Sequence, residues 1–135
     1  MTSVTVTADL DHPPAQVWAI VGDFLGLGDW MPGIARWSAE LEGKRRRLVL
    51  PDGGVVVEDE TSRDDRAMTY SYKVVEAPMP WEAYTSTIAV APKGDGCRVR
   101  WVGDFTPVGD EDEVADLVRG IYRAGLKAVA ARLSN

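Results

Sequence analysis

Two glutamates, Glu58 and Glu60, stand two residues apart in a segment with strand character, so their side chains share one face while Asp59 points to the other. A carboxyl group turned into an apolar interior acquires a raised pKa and can serve as general acid or base on a bound molecule. Turned outward, the same pair is solvated or bridged to Arg45, Arg47 or Arg100 as cross-strand ion pairs. The preceding run Val55-Val56-Val57 has no alternation that decides between the two arrangements. Tyr70, Tyr72, Tyr84 and Tyr122 add phenols able to donate to a ligand carbonyl or polarise an enone. Glu58, Glu60 and Tyr72 are therefore the candidate catalytic residues.

The chain carries five tryptophans, four tyrosines and two phenylalanines, many at positions that a closed fold turns into cavity walls. Taken singly, each is more simply explained as core packing. As a set, Phe24, Trp30, Trp37, Tyr70, Trp81, Tyr84, Trp101, Phe105 and Tyr122, joined by Met31, favour a small hydrophobic guest that is flat and aromatic or polycyclic. Trp30, Trp37 and Trp81 fall in or beside loops, where a cavity opens.

Other chemistry is weakly supported. There is no P-loop, dinucleotide fingerprint, GxSxG, HExxH or paired cysteine, so neither a metal nor a cofactor is expected. His12 sits in a proline-flanked turn without a second histidine, which favours a surface or capping role. Cys97 lies in an alternating strand with nothing beside it to activate a thiolate, which favours packing. A single cysteine allows no internal disulfide, and a cytoplasmic location is the default expectation. The net charge of -6 argues against a nucleic-acid partner. The one basic run, Lys44-Arg45-Arg46-Arg47, reads as a solvated hairpin end more readily than as an anion site. No stretch is long and apolar enough for membrane insertion.

The elements that must position these groups follow from periodicity. At 135 residues the chain suits one domain, 1–135. Val4, Val6, Ala8 and Leu10 mark a half-buried strand over 4–10, and Pro14 begins a short helix through Val21. Gly22, Gly26, Gly28 and Gly33 limit the next stretch to another short helical segment, whose apolar residues suit a lid or cavity wall. Six strands are predicted over 35–41, 46–50, 55–61, 68–75, 83–91 and 97–106, separated by turns such as Pro51-Asp52-Gly53-Gly54. Asp110 or Asp112 caps a final amphipathic helix carrying Val114, Leu117, Val118, Ile121, Tyr122, Leu126 and Val129. The predicted fold is α+β: a curved seven-stranded antiparallel sheet wrapped around a long C-terminal helix, with a cavity between them. A homodimer through a sheet edge is left open.

With Ala15-Gln16-Val17-Trp18 after a proline pair, the segment 22–32, Asp52 to Glu58, Tyr70-Ser71-Tyr72, Pro78-Met79-Pro80, Trp101 to Phe105 and Gly120-Ile121-Tyr122, the whole chain resembles the START-like, Bet v 1-like superfamily. In particular it resembles the bacterial polyketide cyclase/dehydrase and lipid-transport group of that superfamily. That resemblance implies a helix-grip fold whose members range from ligand carriers to cyclases and dehydratases. Binding of a hydrophobic ligand is the first expectation, and a cyclase or dehydratase of secondary metabolism the alternative.

Overall fold

The computed structural model describes residues 1–134. Seven strands form one antiparallel sheet: β1 (Thr2–Leu10), β2 (Arg36–Glu40), β3 (Arg45–Val49), β4 (Val55–Asp64), β5 (Thr69–Glu76), β6 (Trp81–Lys93) and β7 (Gly96–Pro107). Their spatial order is β1-β7-β6-β5-β4-β3-β2, so the first two strands in sequence form the two edges. Helices α1 (Pro14–Val21) and α2 (Leu27–Trp30) lie in the connection between those edges. The long helix α3 (Glu111–Leu133) closes the chain and packs against β1 and β7.

Local chemistry explains the boundaries. Pro14 occupies the first turn of α1, where its missing N–H costs nothing. The Asp110 carboxylate accepts a hydrogen bond from the Glu113 backbone N–H at 2.9 Å, and Glu111, Asp112 and Glu113 favour the positive end of the α3 dipole. Along α3, Val114, Val118, Tyr122, Leu126 and Val129 are buried, each contributing roughly 1.5–3 kcal/mol of transfer free energy. They meet Val4, Val6, Val99, Trp101 and Phe105 from the inner faces of β1 and β7.

Two departures from strict alternation shape the site. The expected strand over 35–41 stops at Glu40 because Leu41 and Glu42 turn left-handed (φ 51° and 56°) and form a 3-10 turn over Leu41–Gly43. In β6 the pairing with β7 slips between Glu82 and Thr85, where Ala83 has φ 50°. Without that bulge, the period that turns Tyr84, Ser86 and Ile88 inward would bring Glu82 in and turn Trp81 out. Instead Trp81 reaches the interior, with its ring 4.7 Å from that of Tyr84.

Candidate functional site

Between α3 and strands β3 to β7 lies a cavity of about 760 Å³. Its deep wall is aromatic: Tyr72, Trp81, Tyr84, Trp101 and Tyr122, backed by Leu27, Leu48, Val56 and Val74. The mouth lies between Met31 to Ile34, the β3–β4 turn at Leu50 to Asp52, Met79, and the α3 face bearing Asp116, Leu117, Gly120 and Ile121. The rim thus includes the β3–β4 turn and only the end of the glycine-rich 22–33 stretch.

The phenols are organised by a directed hydrogen-bond chain. Ser86 Oγ lies 2.8 Å from the Val102 carbonyl, which can only accept, so the serine proton is spent there. Tyr122, 3.0 Å from Ser86 Oγ, must then donate to it, and Tyr84 in turn donates to Tyr122. Trp101 Nε1, which can only donate, lies 3.1 Å from both Ser86 Oγ and Tyr72 Oη. Tyr72 therefore accepts from Trp101, and no acceptor among the described residues takes its own proton. Burial is the first cause that pushes the Tyr72, Tyr84 and Tyr122 pKa values upward, with neighbouring phenols and Glu58 adding to it. These groups stay protonated at neutral pH and act as donors.

Glu58 faces the same cavity. Its backbone pairs with Arg46 on β3 and Val74 on β5, and residues opposite one another share a face. Arg46, 1% exposed, donates from Nε to Glu58 Oε1 at 2.7 Å and from Nη1 to the Phe24 carbonyl at 2.8 Å and to Tyr70 Oη at 3.3 Å. Its Nη2 is also 2.7 Å from Oε1, a charge contact whose angle falls short of a hydrogen bond. The guanidinium lies over the Phe24 and Tyr72 rings at 4.2 and 4.8 Å. Burial opposes its charge, but Tyr70 and Glu58 outweigh that, and the Arg46 pKa is raised. Only Oε1 of Glu58 is held by this pairing; Oε2 takes no hydrogen bond from the described residues.

Seven of the residues singled out in sequence converge on this cavity: Glu58, Tyr72, Met31, Trp81, Tyr84, Trp101 and Tyr122. The others lie outside its lining. Glu60 also faces inward, but it is bridged by Lys44 and Arg63 beside a smaller hollow of about 340 Å³. Phe24 borders that hollow, and Tyr70 sits between Phe24 and Tyr72 in the core. Trp30 packs on Trp101, and Phe105 stacks on Tyr84. Trp37 is 41% exposed on the edge strand β2 and lies against the backbone of Gly28, where a Cβ would stand 1.6 Å from the indole.

The cation opposite Glu58 is Arg46, rather than the expected Arg45, Arg47 or Arg100. Arg45 pairs with Asp59 and Arg47 with Glu40, while Arg100 sits on β7 opposite Thr7 and Ala89. The basic run is therefore not wholly a solvated hairpin end. Ser86 went unnoticed in the sequence, although a serine between inward-facing Tyr84 and Ile88 is the signal that would have found it. Among the described residues no His, Cys, Asp or Glu cluster is arranged for a metal, and no helix is long and apolar enough to cross a membrane.

A sheet gripping a long helix around a hollow is the START-like, Bet v 1-like architecture. The family described as polyketide cyclase / dehydrase and lipid transport matches residues 1–134, and the chain belongs to it. Among solved structures, the protein XoxI from Bacillus cereus is 36% identical, with a TM-score of 0.91 over 98% of this chain and 95% of that one. A putative uncharacterized protein from Bacillus thuringiensis is 34% identical, with a TM-score of 0.93 over 99% and 100%. Ara h 8.0201, at 20% identity and a TM-score of 0.81 over 99% of both chains, shows the same fold. No curated protein matches the chain. Family and fold together indicate a hydrophobic ligand-binding or polyketide cyclase-type domain.

Proposed function

We propose that this domain binds a small, flat, aromatic or polycyclic molecule in the cavity beside α3. The observation that carries this reading is the 760 Å³ hollow walled by two tryptophans and three tyrosines. A volume of this size suits a guest of several fused or linked rings, and aromatic walls stack on flat faces. The test uses the mouth. Gly120 lines the cavity, and a Cβ there meets nothing within 4 Å, so Gly120→Phe places a ring in the mouth without displacing the helix. A neutral naphthyl ketone dye should quench tryptophan fluorescence on binding to the parent protein and lose at least tenfold in affinity for Gly120→Phe, with the melting temperature maintained. Equal binding to both proteins would falsify the cavity as the site. Native mass spectrometry of protein purified from its source would show the retained molecule.

One observation favours a second reading, cyclisation or dehydration of a polyketide-type chain. Glu58 Oε2 and the Tyr72 O–H are unpartnered polar groups in one apolar cavity. A carboxylate there can remove a proton from a carbon flanked by carbonyls while the phenol holds the enolate oxygen. That carbon then bonds to a second carbonyl carbon, whose C=O bond opens to a hydroxyl as its oxygen takes the proton back from Glu58. Glu58 removes the second α-proton and returns it to the hydroxyl, which leaves as water with formation of a C=C bond. Glu58→Gln and Tyr72→Phe should each abolish turnover of a poly-β-ketone while binding an alkylnaphthalene, which uses neither polar group, at least as well as the parent protein. Turnover that survives both substitutions removes this reading and leaves the first.

A further inference from the structure

The cavity is charged with one sign only. Among the described residues of its lining the charged side chains are Asp52, Glu58 and Asp116, with no lysine, arginine or histidine. Asp52 and Asp116 stand exposed at the rim, where water screens them, and Asp116 is held by Arg119 at 2.6 Å. Glu58 is the deep group, and its cation stands behind it: Arg46 spends its donors on Glu58 Oε1, the Phe24 carbonyl and Tyr70, and its Nη2 has no accessible surface. Trp81 Nε1 is also unpartnered but has no accessible surface, so a guest meets two unpartnered polar atoms: Glu58 Oε2, which accepts, and the Tyr72 hydroxyl, which has a proton to give.

Resting on the binding reading above, we infer that the cavity selects an uncharged flat molecule that presents a hydroxyl or N–H donor to Glu58 and a carbonyl to Tyr72, and that it rejects anions. A guest carboxylate would lose its hydration beside a like charge with no cation to offset the loss. An ammonium gains little, because Arg46 already balances the Glu58 charge and the ammonium must shed its water. A pure hydrocarbon leaves the Glu58 oxygen and the Tyr72 hydroxyl dry and unpaired, the situation in which a polar site discriminates most strongly.

Four probes on one naphthalene scaffold separate these cases at neutral pH by calorimetry: a hydroxynaphthyl ketone, the hydroxynaphthoate, an aminomethyl naphthol and an alkylnaphthalene. The ketone should bind tightest, at least tenfold above the carboxylate, and Tyr72→Phe should erase its advantage over the alkylnaphthalene. Glu58→Gln should narrow the gap between ketone and carboxylate; should that variant fold poorly, the Tyr72→Phe comparison carries the test alone. A carboxylate less than tenfold weaker than the ketone overturns the selection, as does an amine that outbinds the ketone. If the ketone, amine and alkylnaphthalene all fail to bind, the binding reading itself falls and this inference falls with it.

Discussion

At Gly103 a single hydrogen atom keeps the phenol network assembled. A Cβ there would lie 2.4 Å from Tyr122 Oη and 2.9 Å from Tyr84 Oη, inside contact distance for both. Gly103→Ala must therefore push the two rings apart, at a cost of about 1–3 kcal/mol from overpacking. Urea unfolding measures that loss, and a changed near-ultraviolet circular dichroism spectrum reports the displaced tyrosines. At this scale the sequence was informative wherever alternation was clean. Tyr72, Tyr84 and Trp101 occupy inward positions of β5, β6 and β7, so their presence in the wall follows from period two. The orientation of Glu58 could not be read, because the β4–β5 pairing slips on both sides of it, between Val57 and Glu58 and between Glu60 and Ser62. Arg46 was hidden for a different reason: in a run of four cations, charge masks the alternation with Leu48 that turns it inward.

The element that most alters the cavity is the bulge in β6. Ala83 holds a left-handed backbone conformation, which β-branched side chains tolerate poorly despite their preference for strands. Ala83→Val should therefore destabilise the protein by about 1–2 kcal/mol, against its β propensity, and weaken dye binding as Trp81 loses its place. Denaturant unfolding and a binding titration on the same sample check both effects; a stabilised variant would contradict the account. Elements of this kind were largely legible, since the strands are marked by alternation or by the turn residues that bound them, the short helical segments by proline and glycine, and the capped long helix by its period. The bulge left none, because Glu82-Ala83 carries no glycine or proline to mark it. The neighbour relation of β1 with β7 was equally silent, because pairing between the two ends of a chain leaves no local pattern.

Across the whole molecule all four tyrosines are buried, and the pKa of each is raised, first by burial. A raised folded-state pKa means stability that is fully present below about pH 10, the ordinary tyrosine value, and lost as pH climbs through the folded values. An ultraviolet titration should accordingly show almost no tyrosinate near pH 10, then ionisation together with loss of circular dichroism in one cooperative step. Gradual ionisation in a folded protein would contradict it. The placement of β1 beside β7 has a further consequence, for synthesis. At about 5–20 residues per second, β1 leaves the ribosome on the order of ten seconds before its partner strand exists. During that interval its ladder of backbone groups is an unpaired edge that any neighbouring nascent chain can join. Emergence of β7, rather than of any earlier hairpin, is the event that gives β1 its partner.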